Sequence, residues 1–166
     1  MTTRELTEKL LRAYSAYYNV ERETPAPPFA AEAVFHSHSE QYFLIKSARL
    51  AETESNEYVF FAEEERLDEA RLRALAESAW QEGTSRVQPH EAHQSSDIIL
   101  IALADRVEPE ALALAPRLKY YRSYRWGLQG WSHFRLIVVE TATGRMACNR
   151  QGQSLKGVIQ SNIKSV

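Results

Sequence analysis

Hydrophobic residues recur every three or four positions from Leu6 to Tyr17, the pattern of a helix with one apolar face. Thr2 stands three residues before Glu5, the spacing of an N-terminal capping box. We therefore expect a first helix to about residue 18, ended by the prolines of ETPAPPFA. From Phe29 apolar and polar positions alternate, which predicts a strand.

Two further strands are predicted for QYFLIKSARL and NEYVFFAE, which are rich in branched and aromatic residues and are joined by an acidic turn. Three consecutive strands with short connections favour an antiparallel meander. The helical period returns in RLDEARLRALAESAWQEG, where Leu72, Leu75 and Ala79 share one face. Gly83 is suited to end this second helix.

The second half of the chain is predicted to contain a buried strand, two short helices and a hairpin. The strand is expected in SDIILIALADR, because this apolar run is rich in branched residues and short for a helix. Pro109 and Pro116 delimit a helix in VEPEALALAP. The hairpin is expected in HFRLIVVE and RMACNR around a turn with Gly144, and the last helix in SLKGVIQSNIKSV.

This element order predicts one α+β domain over residues 1–166, with a mixed, mainly antiparallel central sheet flanked by helices. No apolar run reaches the roughly 18 residues that span a bilayer, and the start of the chain lacks an apolar signal core. The single cysteine, Cys148, excludes an intrachain disulfide and a thiolate metal cluster. These features predict a soluble protein of the cytoplasm, with no membrane partner.

The formal net charge of −2 conceals an asymmetry along the chain. From Arg117 onward there are nine basic residues and one acidic residue, Glu140, so this third carries +8. The preceding part has 11 of the 20 basic and 21 of the 22 acidic residues and carries −10. Such asymmetry indicates a nucleic acid or an acidic protein surface as partner. The alternative is that the two parts, or two copies in a homodimer without a ligand, pack with opposite charges together.

The basic third contains KYYRSYRWGLQGWSHFR, residues 119–135, in which aromatic residues are interleaved with arginines. Aromatic rings stack on unpaired bases and arginines contact phosphates, so this composition suits a nucleic-acid-binding surface. The same composition also occurs in structural packing, where arginine stems lie along aromatic rings. The candidate binding residues are Lys119, Arg122, Tyr124, Arg125, Trp126, Trp131 and Arg135.

Four of the five histidines form two closely spaced pairs. His36 and His38 would share a strand face, and His90 and His93 a helical turn. A zinc or iron ion held by these pairs would acidify a bound water, which gives a metal-dependent hydrolase as the alternative function. Neither pair belongs to a complete motif such as HExxH, and no phosphate-binding glycine loop is present. A non-enzymatic binding domain is therefore the leading hypothesis.

A resemblance to a known family is carried by EQYFLIKSARLAETESNEYVFFA, PHEAHQSS, IALADRV and YRSYRWGLQGWSHFRLIVVETATGRMACNRQG. From about Phe29 to Gly152 the chain resembles a family of small uncharacterised bacterial proteins. That family has no assigned activity, ligand or catalytic residue. The resemblance implies a bacterial, cytoplasmic, stand-alone domain.

Overall fold

The computed structural model describes residues 1–36, 54–89 and 93–164, apart from the side chains of Glu54, His93 and Gln94. Its strands are β1 Asn19–Glu21, β2 Ala31–His36, β3 Glu54–Leu67, β4 His93–Val107, β5 Tyr121–Ser123, β6 Trp131–Glu140 and β7 Met146–Cys148. They form one seven-stranded sheet in the order β1-β2-β3-β4-β6-β5, and β7 also pairs with β6.

The sheet is mixed. Its two longest pairings, β3 with β4 and β4 with β6, are parallel. The pairings β1 with β2, β2 with β3, β5 with β6 and β6 with β7 are antiparallel. The predicted α+β fold with a mixed, mainly antiparallel sheet is confirmed, although the parallel strands form its centre.

Helices cover both faces of the sheet. They are α1 Thr3–Tyr14, α2 Glu69–Ser85, α3 Pro109–Leu114 and α4 Leu155–Lys164. Residues of α1 and α4 pack on one face, and residues of α2 and α3 pack on the other. Within the described part of the chain, no helix is long and apolar enough to cross a bilayer.

Neighbouring residues of each central strand serve opposite cores, because strand side chains alternate between the two faces. Val59, Ile99 and Ile137 contribute to the core beneath α1 and α4. Phe60 and Leu100 contribute to the core beneath α2 and α3. Burial on both faces explains the continuous apolar runs of these strands. It also means that a polar residue in such a run points toward a helix layer.

Several predicted elements are confirmed and a few differ. The capping box at Thr2 and Glu5 is present, but α1 ends at Tyr14, before the predicted residue 18. The last helix is confirmed as α4. The predicted strand in QYFLIKSARL lies outside the described residues. Strands β1 and β5 were not predicted, because three-residue strands with exposed ends lack an alternating apolar pattern.

Candidate interaction surface

The side chain of Asn149 fixes the start of the basic aromatic segment against β6. Its Nδ2 donates to the carbonyl oxygens of Leu118 and Phe134, both at 2.9 Å. Its Oδ1 accepts from the backbone N–H groups of Leu136 and Gly152, at 3.0 and 2.8 Å. A Cβ on Gly152 would lie 2.1 Å from the carbonyl oxygen of Leu136, so only glycine fits there. Because Asn149 is buried, water does not compete for these bonds.

Strand β5 follows this anchor and pairs with β6 on the edge that β7 also uses, opposite to β4. Its residues Tyr121–Ser123 pair with residues 131–133. All three side chains of β5 are exposed, and so is Lys119 before it. Strand β5 ends the strand order, so no strand among the described residues pairs with its outer edge. The backbone and side chains of this edge are accessible to a partner.

A tight turn between β5 and β6 holds apolar side chains in solvent. Tyr124 is hydrogen-bonded through its hydroxyl to the Ser132 hydroxyl at 2.9 Å, which closes the turn at its base. Arg125 and Trp126 have φ angles of 47° and 52°. That left-handed conformation costs about 1–2 kcal/mol for each non-glycine residue. Trp126 is 97% exposed and Leu128 is 76% exposed. Exposed apolar groups on a strained turn are typical of binding sites.

Most basic residues after residue 116 make no ion pair with another residue that the structure describes. Arg135 pairs with Glu57 and Asp97, and Arg145 pairs with Glu140. Of these nine basic residues, Arg135 alone pairs with an acid from residues 1–116 in the part that the structure describes. Direct ion pairs between the acidic and the basic part therefore neutralise little of the charge among the described residues. The exposed cations without an ion pair among the described residues include Arg117, Lys119, Arg122, Arg125 and Arg150.

The structure divides the seven predicted binding residues into two groups. We call six of them the basic aromatic edge: Lys119, Arg122, Tyr124, Arg125, Trp126 and Trp131. They lie just before β5, on β5, in the turn, or at the first position of β6. Tyr124 and Trp131 are half-buried and the other four are exposed. The seventh residue, Arg135, is only 17% exposed and belongs to an ion-pair network elsewhere.

Residues 2–161 match the model of a family described as a domain of unknown function, DUF8052. The chain belongs to the DUF8052 family. No curated protein and no solved structure matches the chain. The predicted membership of an uncharacterised family is therefore confirmed. Because the family description names no activity, any function of this DUF8052 domain has to be argued from its own residues.

The histidine pairs of the DUF8052 domain are only partly described. His36 Nδ1 is 2.7 Å from Asn56 Oδ1 at the end of β2. His38 and His90 lie outside the described residues. His93, described by its backbone alone, is the first residue of β4, so the helical turn predicted for it is wrong. Within the described ranges no three histidine, cysteine or carboxylate side chains are grouped to hold a metal. A hydrolase with zinc or iron at these pairs stays a prediction.

A second group of ionisable side chains lies beneath α1 and α4. Arg135 Nη1 donates to Glu57 Oε1 at 2.8 Å and to Asp97 Oδ2 at 3.4 Å. The Tyr18 hydroxyl donates to the other Glu57 oxygen. Burial raises the pKa of Asp97, against the lowering effect of the Arg135 charge. Burial and the bond to Glu57 raise the pKa of Tyr18. Sequence reasoning missed this network. Its signal in the sequence is a charged residue directly before an apolar run in three strands: Glu57, Asp97 and Arg135.

Proposed function

We propose that this DUF8052 domain is a non-enzymatic binding module whose basic aromatic edge binds single-stranded nucleic acid in the cytoplasm. The observation that carries the proposal is the position of Trp126. Trp126 is 97% exposed in a turn with two left-handed residues, next to the exposed Arg125, which makes no ion pair among the described residues. A core residue would not be held in water at this conformational cost.

The chemistry of the edge matches an unpaired, anionic strand. An exposed indole stacks on a base, which contributes about 1–3 kcal/mol per base, and it reaches only bases that are not already stacked in a duplex. Arg122 on β5 and Arg125 in the turn are exposed on either side of the half-buried Tyr124. Exposed cations of this kind contact phosphates and release bound counterions. Stacking and phosphate contact together favour a single strand.

The test is a fluorescence anisotropy titration of a labelled oligothymidylate of about 15 nucleotides at about 50 mM and about 200 mM salt. We expect binding that weakens steeply with salt. Trp126→Ala should weaken it about tenfold, because one stacking contact is lost. The double variant Arg122→Ala/Arg125→Ala should reduce the slope of log K against log salt by about 1.4, since two single-strand phosphate contacts disappear.

A charge-matched control uses two arginines at the other end of the sheet. Arg4→Ala/Arg106→Ala removes two exposed cations that make no ion pair among the described residues. This variant changes the net charge by the same amount but leaves the basic aromatic edge intact. It should therefore keep the slope of log K against log salt and the stacking contribution. Absence of binding at the lower salt concentration would refute the proposal. Equal binding by a folded Arg122→Ala/Arg125→Ala variant would refute it as well.

An acidic protein surface is the second candidate, because no strand in the described ranges pairs with the outer edge of β5 and Leu128 is exposed beside it. An extended acidic peptide would add to that edge through backbone hydrogen bonds. Labelled polyglutamate discriminates between the two partners. Peptide binding that survives Trp126→Ala, with no oligothymidylate binding, would favour the protein partner.

Self-association is the third candidate, with the basic aromatic edge of one copy on acidic residues of another. Static light scattering at low and high salt measures it directly. A dimer that dissociates at high salt and in the Arg122→Ala/Arg125→Ala variant would favour this reading. A monomer at both salt concentrations would exclude it.

A further inference from the structure

An open pocket of about 370 Å³ lies on the side of the sheet opposite to α2 and α3. The end of α1 and the residues that follow it supply Tyr14, Tyr17 and Tyr18, and α4 supplies Leu155 and Val158. The pocket is thus bounded by aromatic rings on one side and aliphatic side chains on the other. It is separate from the basic aromatic edge, none of whose six residues lines it.

The floor of the pocket contains fixed charges. Glu57 and Arg135 line it, and Asp97 lies behind Arg135 within hydrogen-bonding distance. Two carboxylates and one guanidinium leave this group with one surplus negative charge. Because the side chains are largely buried, solvent screens that charge weakly. The floor therefore favours a cation over a neutral or anionic ligand.

Arg135 is poorly placed to bind an anion here, because four of its five N–H donors are already used. Its Nε donates to the Gln151 carbonyl oxygen at 3.1 Å. Its Nη1 donates to Glu57 and Asp97, and its Nη2 to the Ser154 hydroxyl. An anion would have to displace these acceptors and would also meet two carboxylates. The pocket therefore favours a cation over a phosphate-like anion.

The tyrosines supply faces for a cation at the rim. Tyr14 and Tyr18 pack edge to face with ring centroids 4.7 Å apart, so their positions are defined. Tyr17 is 80% exposed and lies on the same rim. Because the Tyr17 ring buries little apolar surface, it adds little to the stability of the fold. Aromatic faces near a carboxylate are the arrangement that recognises alkylated ammonium groups.

We propose that this pocket is a binding site for a small organic cation of the alkylated ammonium class. The ammonium group contacts the rings of Tyr17 and Tyr18, and the surplus charge of the Glu57, Asp97 and Arg135 group attracts it. The alkyl part packs on Leu155 and Val158. This site is independent of nucleic acid binding at the basic aromatic edge.

Choline and 3,3-dimethylbutan-1-ol test the proposal, because the second molecule has the same shape without the charge. Isothermal titration calorimetry measures both on the full chain. We expect saturable choline binding, and at least about tenfold weaker binding of the neutral alcohol. Absence of saturable choline binding at millimolar concentration would overturn the proposal. Equal binding of the two molecules would overturn it too.

Two variants locate the site. Tyr17→Ala should weaken choline binding about threefold, because one cation–π contact at an exposed site is lost. Asp97→Asn removes the surplus charge at nearly constant volume and should weaken it about tenfold. Tyr121→Ala is the matched control, since it deletes an exposed tyrosine outside the pocket, and it should bind as the wild type does. If Asp97→Asn does not fold, Tyr17→Ala still decides: unchanged choline affinity in that variant would overturn the assignment.

Discussion

Arg125 and Arg135 come from one aromatic-rich stretch, yet the fold gives them opposite surroundings. Arg125 is exposed at the tip of the turn and has no ion pair among the described residues. Arg135 is 17% exposed and pairs with Glu57 and Asp97. The difference arises from the acids, since Glu57 and Asp97 are 78 and 38 residues away in sequence. Local composition therefore does not reveal whether an arginine is available to a partner.

The largest loss of stability is expected on substitution of Arg135. Arg135→Ala leaves two largely buried carboxylates facing each other without their cation. We expect a loss of about 3 kcal/mol in the free energy of unfolding, measured by urea denaturation. Arg125→Ala, the paired control, should change it by less than about 0.5 kcal/mol. Similar losses in the two variants would show that the two arginines do not differ as described.

Asn149 holds the start of the basic aromatic segment, at Leu118, against β6. Asn149→Ala leaves the backbone groups of Leu118, Phe134, Leu136 and Gly152 without their side-chain partner. We expect a loss of about 2 kcal/mol in the free energy of unfolding. Hydrogen exchange should also accelerate at the Leu136 and Gly152 amides. Asn19→Ala, at an exposed position of β1, is the control and should leave stability and exchange unchanged. Protection retained at Leu136 would contradict the anchoring role.

Arg145 differs from both Arg125 and Arg135, because it pairs with Glu140 only five residues away in sequence. Hydrogen bonds from Thr143, the Val107 backbone N–H and Arg145 lower the pKa of Glu140 to about 2. Because the folded-state pKa lies below the ordinary value of 4.5, protonation favours the unfolded chain. This contribution should be complete above about pH 4.5 and should fall as the pH drops toward about 2.

Glu140→Gln tests that pH dependence by urea denaturation at a series of pH values. At neutral pH the variant should lose about 1.5 kcal/mol, because charged acceptors are replaced by a neutral amide. Its stability should also change less than that of the wild type between pH 5 and about pH 2.5. Parallel curves for the two proteins would assign the acid sensitivity to other carboxylates.

Features of the fold that depend on a local sequence pattern were predicted, and features that depend on distant residues or unusual backbone angles were not. Helices with a regular apolar period were predicted well, as α2 and α4 illustrate, and so was β6 with its continuous apolar run. Strand β5 was missed because its three exposed residues show no apolar alternation. The exposure of Trp126 could not be predicted, since it depends on left-handed backbone angles at two non-glycine residues. The pocket network could not be predicted, since three strands bring its members together.

The smallest effect on stability is expected at Trp126, and it separates binding from folding most clearly. Glycine adopts the left-handed conformation without a steric penalty, so Trp126→Gly relieves strain at φ 52°. We expect the free energy of unfolding to stay equal or to rise by up to about 1 kcal/mol. Oligothymidylate affinity should nevertheless fall about tenfold, because the exposed indole is gone. This pair of results would assign the Trp126 side chain to binding and not to folding. A clear loss of stability in Trp126→Gly would instead assign this tryptophan to the fold.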